Sequence, residues 1–369
     1  MMKYVKQFIK MIMQSVILPI VYRMYLHYPV DYRKIVIADA HSHVLPYSLC
    51  KIKEQLEQNG YEIEVVLTNN QRDGWLTTLK NMFSFMKRYA QARYVIICDN
   101  FLPVVSCKKR EETKVIQLWH AAGALKKFGY DTDEDIPSYY RGNVYKNYDM
   151  VTVSSEACIP YFESAMRLPR EVFVSTGISR MDFLFDEAYK EKIRERFYLN
   201  YPESAGKRIV LWTPTFRGSI QSPETIGLKE ICQLETILGN EYLVIKKLHP
   251  HARHGEEQMP DFSSEELLIV ADILITDYSS IIFDYMILGK PIIKFVPDLE
   301  KYQGNRGFYI SYDDLPGIKV QNVDELIQAV KNLPFGNKQD EIQLCIEKYL
   351  NMCDGHATDR IIDRLNNWR

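Results

Sequence analysis

The chain has 369 residues, of which 46% are hydrophobic and 25% charged, with a formal net charge of −2. That length asks for two cores rather than one. The charge balance excludes capture of nucleic acid by the overall field, so any anion site has to be built locally. The seven cysteines are dispersed without a CxxC pair, which reads as reduced thiols and excludes a disulfide scaffold.

The opening segment, MMKYVKQFIKMIMQSVILPIVYRMYLHYP, is apolar and aromatic but interrupted by Lys6, Lys10, Gln14, Pro19 and Arg23. A bilayer span needs about 20 mostly apolar residues, and a signal peptide needs a cleaner apolar core and a small-residue cleavage site. The pattern predicts an amphipathic, membrane-associating helix in 1–30, with its apolar face among headgroups and its cations at the edge.

From residue 34 short apolar runs alternate with helical patterns. KIVIADA (34–40), EIEVVLT (62–68), YVIICDN (94–100), KVIQLWH (114–120), MVTVSS (150–155) and VFVSTG (172–177) read as strands. Helical patterns occupy 49–60, 75–91 and 156–167. The stripe of Met, Phe and Leu in 75–91 reads as core. The stretch 186–207 reads as a charged helix followed by a Pro/Ser/Gly linker. A second series then follows: RIVLWTP (208–214), YLVIKKLHP (242–250), LLIVADILITDYSS (267–280) and PIIKFVP (291–297), with helices at 225–238, 281–289, 322–333 and 338–352. Strands separated by helices form parallel sheets. The expected fold class is therefore α/β with two doubly wound Rossmann-type domains facing across a cleft. The expected divisions are 1–30 (membrane segment), 31–190, 191–350, and a C-terminal helix in 351–369 packing back on the first domain.

In such sheets ligands bind beyond the carboxyl ends of the strands. Those ends carry His120, Ser154, Ser155, Gly177, Thr213, Pro214, Thr215, His249, Ser279 and Ser280. In TDYSSIIFDY the helix start near Ser279 and Ser280 offers free N–H groups and two hydroxyls, which suit either phosphate binding or plain N-capping. Asp284, on the same helical face, suits a ribose or glycerol hydroxyl or a salt bridge. In IKKLHPHARH, residues Lys246, Lys247, His249, His251, Arg253 and His254 form a cationic strand end suited to a diphosphate. No HExxH or matching Cys set accompanies these histidines, so no metal is expected. Arg180 and Arg217, each a few residues past a strand, offer forked donors for phosphate oxygens. His120 ends a strand and precedes AAGALKK. Gly123 and its small neighbours allow close approach, and Lys126 and Lys127 add charge. A histidine so placed is either a proton acceptor or a packed turn residue.

Together, QLWHAAGALKKFGYD, STGISRMDFLFD, WTPTFRG, LITDYSSIIFDYMILGKPIIKFVPDLEKYQGNRGFY and DGHATDR resemble the CDP-glycerol glycerophosphotransferase family of bacterial teichoic acid synthesis. The likeness runs from about residue 94 to the C-terminus. It implies a GT-B-like fold and transfer of glycerol phosphate from CDP-glycerol to a hydroxyl, releasing CMP without a cofactor. It also implies roles. His120 matches the general base and His249 a contact to the donor phosphates. Arg180, Pro214, Thr215, Ser279, Ser280 and Asp284 match the donor-binding elements. Where polymerases of the family usually read WHGTPLKK, this chain has Ala121-Ala122-Gly123-Ala124, which is similar to the primase branch. The short N-terminal region points the same way. The implied acceptor is the N-acetylmannosaminyl-N-acetylglucosaminyl disaccharide on undecaprenyl diphosphate. The implied location is the cytoplasmic face of the membrane, held peripherally beside other teichoic acid enzymes. The rival readings are a glycerol- or ribitol-phosphate polymerase, a capsule polyol-phosphate transferase, a GT-B sugar transferase, and a non-catalytic nucleotide-binding adaptor.

Overall fold

The alternation of apolar runs and helical patterns folds into two parallel sheets in the computed structural model. It describes residues 8–9, 11–41, 43–69, 73–136, 140, 143–219, 222–248, 259–333 and 339–368. The chain divides into two units. The first takes the chain up to His120, then Gly129–Asp182 and Met352–Arg369; the second takes Ala121–Phe128 and Phe183–Asn351.

The first unit is a six-stranded sheet in the order β2-β1-β3-β4-β5-β6. Its strands are β1 (Asp31–Asp39), β2 (Glu62–Leu67), β3 (Ala92–Ile97), β4 (Lys114–Gln117), β5 (Met150–Thr152) and β6 (Phe173–Val174). All its pairings are parallel. Ile35, Ile37, Ile96, Ile116 and Leu118 pack against Leu49, Ile52 and Leu56 of helix Tyr47–Gln58 and against Ile361, Ile362 and Leu365 of helix Ala357–Asn366. Each such side chain contributes about 1.5–3 kcal/mol when fully buried, so the C-terminal helix is integral to this core. Its start is capped from a distance: the buried Asp182 carboxylate accepts from Ala357 N–H at 3.1 Å and Thr358 N–H at 2.8 Å. Gly177, at φ +83°, lets the chain pass under it, since a Cβ there would sit 2.0 Å from the Met352 carbonyl oxygen. The SRMD and DGHATDR stretches therefore meet as a structural joint.

The interrupted N-terminal pattern gives a wide turn at Met13–Ile17 and a helix at Leu18–Met24. Leu18 and Tyr22 are buried, while Val16, Ile20 and Met24 are at least half exposed. Arg110 clamps the segment: its N–H donates to Tyr22 Oη at 3.1 Å, and its guanidinium to the carbonyls of Leu26 and Tyr28. Burial pushes the Tyr22 hydroxyl up to about 12. Helix Trp75–Tyr89 is divided: Phe85, Met86 and Tyr89 enter the core, while Trp75 and Leu76 at its start are exposed.

The second unit contains β7 (Arg208–Thr213), a hairpin of β8 (Arg217–Ser219) and β9 (Ser222–Glu224), β10 (Tyr242–Lys246), β11 (Ile273–Thr276), β12 (Ile292–Phe295) and β13 (Ile318–Val320). Its parallel sheet runs β10-β7-β11-β12-β13. The chain reverses its direction of growth between β7 and β11, and the loops after these two strands carry WTPTFRG and TDYSS. The single strand expected over 267–280 is corrected. Ser263 and Glu266 form a reciprocal capping box that starts helix Ser264–Val270, and β11 begins only at Ile273. The cap overrides the β-propensity of the Leu-Leu-Ile-Val run.

Candidate active site

In the first unit polar side chains gather just past β1, β3 and β4. His120 follows β4, with its side chain half exposed, and its Nδ1 lies 3.6 Å from Asp99 Oδ2. Asp99 follows β3. His41, after β1, places its Nε2 3.3 Å from the same oxygen. The turn into His120 is held from behind. Trp119 adopts φ +58°, and its N–H donates to Gln117 Oε1 at 2.9 Å. The buried Gln117 donates through Nε2 to the Asp99 carbonyl at 3.1 Å. A left-handed Trp is costly for an L-residue, and the Gln117 bonds help maintain it. Arg180, partly buried, lies in the turn Ser179–Phe185 after β6.

After His120 the chain enters the second unit. Gly123, at φ +65°, lies against Phe283, whose ring an added Cβ would meet at 2.5 Å. Leu125 to Lys127 pair with Gly307 to Tyr309: Tyr309 N–H donates to the Leu125 carbonyl at 2.9 Å and Lys127 N–H to the Gly307 carbonyl at 3.2 Å. Arg306 Nε donates to the Lys127 carbonyl at 3.1 Å. The loop AAGALKKF is thus docked on the FDY helix and the RGFY stretch. The Lys126 charge acts on Asp277.

Asp277, directly after β11, is the hub of this edge. Its Oδ1 accepts from Thr215 N–H at 2.8 Å and Tyr278 N–H at 2.6 Å, and its Oδ2 lies 3.0 Å from Arg217 Nη2. Arg217 also forks onto Asp298, with Nε to Oδ2 at 2.8 Å and Nη2 to Oδ1 at 3.0 Å, and donates to the Thr215 carbonyl at 2.6 Å. Its Cζ lies 4.8 Å from the Tyr278 and Tyr302 ring centres, and those two rings stack on each other. Burial pushes the Asp277 carboxyl up, against the pull of Arg217 and the Thr215 N–H. Burial acts on Asp298 in the same sense, but Arg217 and the Tyr278 hydroxyl outweigh it and hold that carboxyl below its ordinary value.

The expected donor residues separate on this map. Pro214 (buried), Thr215, Ser279 and Ser280 (partly buried) and Asp284 (buried) gather at the β7/β11 edge. Arg217 is there too, but its guanidinium is engaged by Asp277, Asp298 and a carbonyl. Lys247 is buried and donates to the Phe262 carbonyl at 2.6 Å, bracing the turn at 259–262. His249, with 250–258, lies outside the described residues. Among the described residues no group of three or more His, Cys, Asp or Glu is placed to hold a metal ion. Sequence reasoning passed over His41, Asp99 and Asp298. The strand-end rule that selects His120 would have found the first two; Asp298 becomes visible only through its fork to Arg217.

Two parallel α/β units with polar strand-end loops define a GT-B-like protein. The chain belongs to the CDP-glycerol:poly(glycerophosphate) glycerophosphotransferase family, which matches residues 20–367. It is 33% identical over 326 residues to the teichoic acid poly(ribitol-phosphate) polymerase of Bacillus spizizenii, covering 84% of this chain and 52% of that protein, so it spans about half the length of that relative. The teichoic acid ribitol-phosphate primase of the same organism is 30% identical over 367 residues, 92% of each chain. The structure of the wall teichoic acid polymerase TagF matches with a TM-score of 0.76 over 98% of this chain and 97% of that one, at 21% identity, a likeness of fold.

Proposed function

We propose that the protein transfers glycerol phosphate from CDP-glycerol to the disaccharide of a lipid-linked teichoic acid acceptor, as a primase adding the first unit. The observation that carries this reading is His120 set on Asp99 at a strand end, within a chain matched to the family across both units. In the reaction the acceptor hydroxyl gives its proton to His120 and its oxygen bonds to the glycerol-bearing phosphorus. The bond from that phosphorus to CMP breaks in line, and CMP leaves with the electron pair. Catalysis of this kind is positioning and charge stabilisation. Thr215, Ser279, Ser280 and Asp284 are the donor contacts in this reading, with Arg180, Lys126, Lys127 and His249 meeting phosphate charge. Lys247 and Arg217 act by bracing the loops. Ribitol phosphate from CDP-ribitol is the second reading, favoured by the match to the ribitol-phosphate primase over 92% of both chains.

The test offers CDP-glycerol and CDP-ribitol separately with a synthetic lipid-linked disaccharide and weighs the products. One added glycerol phosphate is expected. One added ribitol phosphate transfers the reading to the other donor, a ladder makes the protein a polymerase, and no product with either donor ends the proposal.

The acceptor's lipid makes a peripheral membrane location part of the same reading. Among the described residues no helix is long and apolar enough to cross a membrane. The exposed Val16, Ile20 and Met24 form the docking face, on the turn Met13–Ile17 and the helix Leu18–Met24, which Tyr22 and Arg110 anchor to the first unit. Replacing all three by Ser is expected to weaken sedimentation with phosphatidylglycerol vesicles at least about tenfold, because each apolar side chain contributes about 1.5–3 kcal/mol on burial. Unchanged sedimentation would remove this helix from the role.

A further inference from the structure

Asp99 faces two imidazoles through one oxygen. His120 Nδ1 stands 3.6 Å and His41 Nε2 3.3 Å from Asp99 Oδ2. The rings arrive on separate loops, and each loop is pinned. His41 N–H donates to Asp39 Oδ2 at 2.9 Å, and residue 41 pairs antiparallel with Asn69. Asp99 is tied through its carbonyl to Gln117, the residue that also holds Trp119. Exposed ion pairs contribute little to stability. The side chains of His41 and His120 are 56% and 51% exposed, so neither ring is there to fill a core. Convergence of three strand ends on one carboxylate oxygen has a chemical rather than a packing rationale.

We propose that Asp99 and His41 are positioning residues for proton transfer at His120: the carboxylate selects the ring tautomer, and His41 holds the carboxylate. This deepens, and rests on, the transfer reading above. Asp99 Oδ2 opposite Nδ1 favours the His120 form with its proton on Nδ1. Nε2 is then the nitrogen that accepts the acceptor's proton, and the resulting imidazolium faces an anion. His120 afterwards returns that proton to water. His41, whose Nε2 stands 3.3 Å from the same oxygen, stops the partly exposed carboxylate from rotating into solvent.

Two measurements test this on the full chain. Histidine labelled with 15N and observed by two-bond 1H–15N correlation at about pH 9, where imidazoles are neutral, reads the tautomer. The expected result is Nδ1–H at His120 in the native protein and Nε2–H in Asp99→Asn. In transfer assays with CDP-glycerol and with CDP-ribitol, His41→Leu is expected to lower kcat about tenfold with the donor KM unchanged. His41→Gln, whose amide nitrogen replaces Nε2, is expected to recover most of that loss. An unchanged tautomer in Asp99→Asn overturns the role of Asp99, and native kcat in His41→Leu overturns that of His41. If the native protein transfers neither polyol phosphate, the functional reading fails, and the tautomer spectra alone decide whether Asp99 sets the ring.

Discussion

His120→Ala is expected to lose about 10²–10⁴-fold in transfer rate, the range supplied by a positioned general base, while keeping its fold. The retained fold follows from exposure: the ring is half exposed, so its removal opens no cavity. The backbone of the turn is held by Gln117 and Trp119, which the substitution leaves in place. The paired measurement is single-turnover transfer from CDP-glycerol alongside thermal melting. A drop in rate with an unchanged melting temperature supports a chemical role. Turnover within a few-fold of native would show that another group takes the proton, and a collapsed melting curve would show that the histidine was structural.

Arg217→Met is expected to destabilise the second unit by about 3–5 kcal/mol, the cost of removing one partner from a buried ionic network. The arginine side chain is 12% exposed, and Asp277 and Asp298 are 6% and 13% exposed. Its loss leaves two carboxylates in low dielectric, with Thr215 and Tyr278 still attached to one of them. Arg217→Lys is not a conservative rescue, because a single ammonium cannot fork onto Asp298 while reaching Asp277 and stacking on Tyr278. The pH dependence has a definite sign. The Asp298 carboxyl is held below its unfolded value, so its contribution is present above about pH 4 and disappears as pH falls through the folded value. Burial already pushes the Asp277 carboxyl up, and losing Arg217 removes the pull that opposes it, so the stability gap between native protein and Arg217→Met is expected to be widest at neutral pH and to narrow as pH falls toward and below about pH 4. Denaturant melts at both pH values measure it. A gap that is small at pH 7, or that widens in acid, would show that the network does not hold this loop. Transfer should fall with stability in this variant, since Thr215 and the start of TDYSS are positioned by the same carboxylate.

Much of the architecture was legible because burial on both faces of a parallel strand leaves a continuous apolar run. KIVIADA, YVIICDN, RIVLWTP and PIIKFVP all lie on the strands expected of them. The exceptions have local causes. The Leu267 to Val270 run looks like a strand until the Ser263/Glu266 box upstream is recognised. The short β13 and the β8/β9 hairpin have too few residues to show a period. The stripe in 75–91 reads as core, yet its first turn presents Trp75 and Leu76 to solvent, because helical periodicity does not say where along its length a helix leaves its neighbours.

The chemistry divides in the same way. Residue types and spacing alone determined that this is a two-core α/β chain, that polar residues gather at its strand ends, and that His120 heads a loop of small residues and lysines; these are properties of local pattern and of one connection rule. The tertiary structure decided which charged groups are available and which are committed. Arg217 and Lys247 look like phosphate ligands in sequence, but their donors are directed to Asp277, Asp298 and backbone carbonyls. Asp99 and His41, 58 residues apart in the chain, meet only because β1 and β3 are neighbours in the sheet. A charge's partner is fixed by distance through space, and distance through space is what a linear pattern does not encode.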